Sequence, residues 1–298
     1  MVREGLRWVQ SKDVIFSNGL YEEAAIVSVL SGKPLVSKVV GVPAWEALRQ
    51  TVVDDSVRSK GIEMFDKELL PMFLRFRNKF WEWSLRQSSL IVTPSIELAL
   101  YIESLRLGTL VKVIENGTDI AHSVSASCKY DVVTTVRLVP WKNVDILILA
   151  AKSFDFTLAI VGDGPERALL EHLAAGDQRI RFLGALDSSS TIRILASSRI
   201  FSLVSSYEGL SYSLIEAWAL GKSSVVSIAK GNLDALKGSD VSLRVPVRDV
   251  KATGVAIRML LDDDLLRSTK ENEARAFALV HYEKNRQLGK ILKEIDEI

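Results

Sequence analysis

The stretch from Arg199 to Ser227 admits few folds. Its apolar run Ile200-Phe-Ser-Leu-Val204 is rich in Ile, Val and Phe, as a strand buried on both faces of a parallel sheet requires. The run breaks at Ser205-Ser206-Tyr207-Glu208-Gly209, a polar turn, after which Leu214, Ala217 and Leu220 recur at helical spacing. Gly221 is placed to end that helix, and residues 223–228 read as the next strand. This is a β-α-β unit whose polar loop lies at the carboxyl end of its first strand. In an open parallel sheet that end is where ligands sit.

Two carboxylates mark the unit, Glu208 in the loop and Glu216 in the helix. Eight residues of helix rise about 12 Å. The pair is too far apart for joint acid–base work on one bond, yet it can bracket a ligand as long as a nucleotide sugar. The backbone N–H groups of residues 209–213, Gly209, Leu210 and Ser211 among them, open the helix, and such a terminus attracts phosphate. On spacing alone the plainer reading is that Ser213-x-x-Glu216 is a capping box and Glu208 a solvated loop acid.

The rest of the chain repeats the same grammar. Residues 1–118 alternate strands at 13–17, 35–40, 90–93 and 110–114 with helices at 21–30, 62–86 (with Pro71 a point of interruption) and 95–107. A loop at Asn116-Gly117-Thr118-Asp119 and a polar, low-complexity stretch at 123–127 mark a domain boundary. Strands then follow at 132–136, 157–161 and 180–183, with helices at 142–152, 165–174 and 190–196, and residues 250–298 are helical and charged. We therefore expect an α/β protein with doubly wound parallel sheets in domains 1–118 and 119–280, and a C-terminal helix at 281–298 that can pack back on the first. Alternation alone allows any two Rossmann-like domains.

Glu208-Gly-Leu-x-x-x-Leu-Ile-Glu216-Ala-x-Ala-x-Gly resembles the E-x7-E signature of retaining glycosyltransferases of the GT4 family. Val113-Ile-Glu-Asn116-Gly117-Thr-Asp119 resembles that family's inter-domain segment. Thr134-Thr-Val-Arg137-Leu-Val-Pro-Trp-Lys142-Asn-Val-Asp resembles its "xGRLxxxKGxD" segment, with Val136 and Asn143 at its glycine positions. Gly162-Asp-Gly164-Pro165 resembles its cleft-wall loop; as a dinucleotide fingerprint it lacks the third glycine. Residues 180–184 resemble the segment that holds the nucleotide base.

The resemblance implies a GT-B fold and transfer of a sugar from a UDP-, GDP- or ADP-sugar donor to a glycan, lipid-linked or small-molecule acceptor, without a cofactor. Arg137 and Lys142 would meet the donor diphosphate, Glu208 the donor sugar and Glu216 the ribose. A guanidinium and an ammonium at a strand end suit a departing nucleotide's charge. Taken singly, Lys142 reads as a surface residue at a helix start and Arg137 as a structural ion-pair partner. The family's glycine-rich front has no counterpart: Asp13-Val-Ile-Phe-Ser-Asn-Gly resembles the family's fourth strand, without its histidine. The N-terminal domain is thus expected to be incomplete, with residues 13–17 an edge strand seeking a second copy, a separate front half or residues 1–11. Other readings of the same motifs are a nucleotide-sugar-binding subunit inactive alone and a GT-B sugar-nucleotide epimerase.

Several function classes are excluded or left weak. Net charge is +1, so no global field points to nucleic acid. A single cysteine, Cys128, excludes an internal disulfide and a Cys-based zinc cage. Asp262-Asp263-Asp264 contains a D-x-D, but its place between two amphipathic patterns reads as a helix-capping turn. His122, His172 and His281 show no ligand spacing, so no metal is expected. Without a signal peptide or an apolar run of roughly 18 residues, a cytoplasmic protein is the default. One stretch complicates that: Phe73, Phe76, Phe80 and Trp83 share a helical face, interleaved with Arg75, Arg77, Lys79 and Arg86. Packing on the sheet is the plainer reading, and contact with an anionic membrane surface the sharper one.

Overall fold

The computed structural model describes residues 13–51, 70–119 and 127–298. The chain divides into two compact units, residues 1–116 with 285–298, and residues 117–284. Short runs with no polar alternation have become strands, and longer amphipathic ones helices, so each unit is a parallel sheet covered by helices.

The first unit carries β1 (Ile15–Ser17), α1 (Tyr21–Ser31), β2 (Leu35–Lys38), α2 (Pro43–Thr51), α3 (Met72–Arg86), β3 (Leu90–Thr93), α4 (Ile96–Ser104) and β4 (Leu110–Val113). The sheet order is β1-β2-β3-β4, with Ile15 beside Leu35, Val36 beside Leu90 and Leu90 beside Leu110. Val36, Leu90, Val92 and Ile114 form a core with Ile291 from the C-terminal helix. Among the described residues β1 pairs with β2 alone; Lys12 and residues 1–11 lie outside them.

Helix α3 corrects the sequence reading of its aromatic face. It begins at Met72, with Pro71 extended (ψ 148°) at its N-cap, so the proline bounds the helix on its N-terminal side. Residues 62–69 of the expected helix lie outside the described residues. The inward face is Leu74, Asn78, Trp81, Ser84 and Leu85, packed on α1 and α2. The aromatic face is therefore the opposite one: Phe73, Phe76, Phe80 and Trp83 are 69, 69, 46 and 36% exposed. Both faces of this helix are apolar, so spacing identified a shared face without saying which one packs.

The second unit carries β5 (Tyr130–Thr135), a 3-10 turn (Pro140–Lys142), α5 (Val144–Phe154), β6 (Leu158–Val161), α6 (Arg167–Ala174), β7 (Ile180–Gly184), α7 (Ser188–Ala196) and β8 (Ser198–Leu203). It continues with α8 (Tyr212–Ala219), β9 (Ser223–Ser227), α9 (Lys230–Leu236), β10 (Ser242–Val245), α10 (Val250–Asp262) and α11 (Asp264–His281). Helix α12 (Lys284–Asp296) leads into the first unit. The sheet order is β10-β9-β8-β5-β6-β7, all parallel. Successive strand residues alternate between two cores, Val132, Ile160, Ile200 and Val225 on one face and Val133, Ala159, Phe201 and Val226 on the other. That two-sided burial is why these strands read as continuous apolar runs.

Trp218 anchors the second face. It is fully buried, donates from its indole to Ser224 and Ser242 at 3.0 and 3.1 Å, and stacks on Tyr282. The acidic triplet at 262–264 is a helix cap: Asp263 accepts from the Leu266 amide at 2.8 Å, while Asp262 pairs with Arg258 and Asp264 with Arg267. The cap satisfies an amide at the start of α11 that has no partner within the helix. Among the described residues no group of His, Cys, Asp and Glu can hold a metal, and no helix is long and apolar enough to cross a membrane.

Candidate functional site

Strand β5, first in its unit, lies between β6 and β8, so the chain runs outward from it in both directions. The loops leaving the carboxyl ends of β5 and β8 therefore diverge to opposite faces of the sheet and open a crevice. This topological switch point is where open α/β sheets bind ligands. It is also where the sequence-predicted residues fall, Arg137 and Lys142 after β5, Glu208 and Gly209–Ser211 after β8.

The two loops are tied together closely. Lys142 Nζ donates to Glu208 Oε1 at 2.6 Å, with only 17% of the lysine and 6% of the glutamate side chain exposed. Ser205 Oγ donates to the same carboxylate oxygen at 2.6 Å. The Ser206 amide donates to the Trp141 carbonyl at 2.8 Å, and Asn143 Nδ2 to the Val204 carbonyl at 2.9 Å. Asn143 holds φ +49°, the left-handed region that glycine or asparagine tolerates best, which explains an asparagine where the resembling family has glycine. Arg248 in turn approaches the Asn143 side-chain oxygen and Asp145 at 3.3 Å each.

Two plainer readings fail on this geometry. Glu208 is a buried, paired acid, not a solvated one. Arg137 is exposed and has no ion-pair partner among the described residues, so it is not a structural ion pair. The capping box fails too. The N-cap of α8 is Ser211, whose hydroxyl accepts from the Leu214 amide at 3.4 Å, while Ser213 donates to the Thr135 carbonyl at 2.7 Å. Ser213 thereby pins the start of α8 to the end of β5. Only residues 212–216 of the interval between the two acids are helical, and Glu216 sits half-buried on α8. Burial pushes its carboxyl above the usual range and, with Glu216 nearby, also raises the Tyr212 phenol.

On the other side of β5, Gly162 and Gly164 permit a close backbone approach. A Cβ on Gly162 would lie 1.8 Å from the Val136 carbonyl oxygen, and one on Gly164 2.3 Å from that of Leu138. Gly162 also holds φ +132°, which side chains rarely adopt. The sequence predicts that Pro165 opens α6, but the helix starts at Arg167. The proline lies in a turn before the helix, whose Glu166 amide donates back to Leu138 at 3.1 Å.

Three supporting residues escaped the sequence reading. Ser205 is fully buried beneath Glu208, and Ser227 Oγ donates to the Ser205 carbonyl. Gly231, in α9, presses against the same loop; a Cβ there would lie 1.9 Å from the Glu208 carbonyl oxygen. The only signal in the sequence was a glycine inside a short helical pattern, where glycine is otherwise unfavourable.

Residues 129–263 match the family described as "Glycosyl transferases group 1". The lipopolysaccharide core biosynthesis glycosyltransferase LpsD of Rhizobium meliloti is 35% identical over 135 residues, 44% of this chain and 39% of that protein. N,N'-diacetylbacillosaminyl-diphospho-undecaprenol alpha-1,3-N-acetylgalactosaminyltransferase of Campylobacter jejuni is 32% identical over 136 residues, 46% of this chain and 35% of that protein. The match thus spans less than half the length of these curated relatives. Among solved structures, Anabaena HepE in complex with UDP and glucose superposes with a TM-score of 0.79 at 19% identity, over 100% of this chain and 81% of that one. The chain therefore has the parallel-sheet α/β architecture of GT-B proteins, and over residues 129–263 it is similar to the group 1 glycosyl transferases.

Proposed function

We propose that the protein is a retaining glycosyltransferase that moves a sugar from a nucleotide diphosphate sugar to a glycan, lipid-linked or small-molecule acceptor. The observation that carries this reading is the buried Lys142–Glu208 pair at the switch point, with an unpartnered Arg137 on the same loop as the lysine. Glu208 balances the charge of Lys142, whereas no described residue balances Arg137. Arg137 is then the net attractor for an incoming diphosphate, and Lys142 is shared between that diphosphate and Glu208.

Each remaining residue has a role that its chemistry suits. Backbone amides of Gly209, Leu210 and Ser211 approach the phosphates, next to the amino end of α8. Glu216 accepts hydrogen bonds from the ribose hydroxyls, and Gly162 and Gly164 keep the wall beside β5 low enough for the nucleotide. Glu208 faces the donor sugar. In the transfer, the bond from the anomeric carbon to the diphosphate oxygen breaks and one to the acceptor oxygen forms on the same face. The acceptor proton passes to the leaving diphosphate, whose charge Arg137 and Lys142 stabilise. No metal has a place in this scheme.

A thermal-shift panel of UDP-, GDP- and ADP-sugars tests the donor assignment, because a ligand that binds only the folded state raises its melting temperature. One nucleotide class is expected to stabilise the protein. Absence of a shift with all three overturns the reading. Product analysis with the stabilising donor and a glycan or lipid-linked acceptor is expected to give a glycoside with the donor's anomeric configuration. Free nucleotide with an altered sugar in the absence of acceptor would identify an epimerase instead.

A further inference from the structure

We infer that the outer face of α3 is a docking surface for an anionic lipid bilayer. The face is built for an interface between water and hydrocarbon. Met72, Phe73, Phe76, Phe80 and Trp83 fall within one side of the helix and are 76, 69, 69, 46 and 36% exposed. Phe80 and Trp83 stack face to face, with centroids 5.3 Å apart. Helical spacing puts Arg75, Lys79 and Arg86 along one flank of this stripe and Arg77 along the other, and all four are exposed. The single acid in the helix, Glu82, is turned to Asn78, which donates to it at 2.8 Å. Among the described residues of the helix the stripe is thus flanked by the cations Arg77, Lys79 and Arg86, with Arg75 also donating from Nε to the Leu70 carbonyl at 2.8 Å.

Its length also fits. Fifteen residues of helix extend about 22 Å, enough to lie along a membrane surface. Large apolar side chains enter the acyl boundary while flanking Lys and Arg stems reach back to the phosphates, the arrangement of an interfacial helix. Beside the stripe is a cavity of about 500 Å³ lined by Leu70, Met72 and Phe76 together with Arg75, Asn78, Lys79 and Glu82. Its apolar residues continue the stripe along that flank of the helix. A second copy of the chain is the poorer occupant. A two-fold interface sets the same patch against itself, so Arg77, Lys79 and Arg86 would face like charges. A bilayer with acidic headgroups supplies both the apolar phase and the opposite charge. This inference stands apart from the donor site, since it concerns the first unit alone and its test needs no turnover.

The experiment is co-sedimentation of the whole chain with vesicles of phosphatidylcholine alone and of phosphatidylcholine mixed with phosphatidylglycerol. Binding is expected to the mixed vesicles, falling as salt is raised. The Arg77→Glu/Lys79→Glu variant is expected to lower the partition coefficient at least on the order of 25-fold, since each lost cation weakens partitioning roughly fivefold. A Phe73→Ser/Phe76→Ser variant is expected to abolish binding with its melting temperature unchanged, because both rings are already in solvent. Tryptophan quenching by brominated acyl chains is expected in the parent and not in Trp83→Phe. Equal recovery with both vesicle types at low salt overturns the inference. So does a dimer that the serine variant converts to monomer without any lipid binding in the parent.

Discussion

Glu208→Gln separates the two jobs assigned to the switch-point pair. The carboxylate accepts from Lys142 at 2.6 Å and from Ser205 at 2.6 Å, and is 6% exposed. A neutral amide keeps the size and still accepts from Ser205, but it no longer neutralises the lysine. A hydrogen bond to a charged group contributes about 1.5–3 kcal/mol. The empty variant should therefore be less stable by roughly that amount, toward the lower end because the Lys142 side chain keeps 17% of its surface. The same change frees Lys142 for a diphosphate and removes the negative charge that repels it. Free nucleoside diphosphate should then bind more tightly, by roughly 10- to 150-fold if the whole interaction is redirected. Calorimetry gives the affinity, and chemical denaturation with and without nucleotide gives both stabilities. The variant should melt lower when empty, recover that loss when saturated, and transfer sugar far more slowly than the parent. Unchanged or weaker diphosphate binding in a variant that is destabilised when empty would show that Lys142 does not meet the diphosphate.

Other predictions use the same site. Arg137→Ala and Lys142→Ala should both weaken nucleoside diphosphate binding in calorimetry, the arginine variant more, because only Arg137 lacks a balancing carboxylate. Glu216→Gln should weaken binding of the nucleoside monophosphate as well, and should raise the melting temperature near pH 7. Its carboxyl is raised by burial, so the charged form costs stability as pH rises through the folded pKa, and the amide removes that cost. Nucleotide affinity in the parent should accordingly begin to fall with acidification above the ordinary glutamate range. Gly231→Ala should destabilise by about 1–3 kcal/mol and slow transfer, because its methyl must displace the Glu208 backbone rather than a flexible side chain. An unchanged denaturation midpoint would mean the α9 contact is looser than drawn.

Much of this protein was legible without coordinates. Strands such as Leu158–Val161 and Ser198–Leu203 are short and apolar, helices such as Val144–Phe154 carry the helical period, and each polar loop falls between them. That alternation determines a parallel α/β architecture because strand and helix each have to bury their apolar sides on the other. Glu208 stood out as a carboxylate in the loop after such a strand, whereas Arg137 and Lys142 were singled out by the resemblance of their segment to the GT4 family.

Tertiary structure decided what depends on who lies opposite. Whether Glu208 was a solvated acid or a buried partner of Lys142 turned on β5 and β8 being neighbours, though 66 residues separate the two side chains. Ser211 rather than Ser213 caps α8 because Ser213 is claimed by the Thr135 carbonyl of a strand far away in sequence. Gly231 has a role only because α9 presses on the Glu208 backbone. Helix α3 states the limit most plainly. Its two apolar faces have the same period, and only its packing on α1 and α2 left Phe73, Phe76, Phe80 and Trp83 outside. Periodicity reports which residues share a direction; the direction itself is set by the neighbours that gain most from burial.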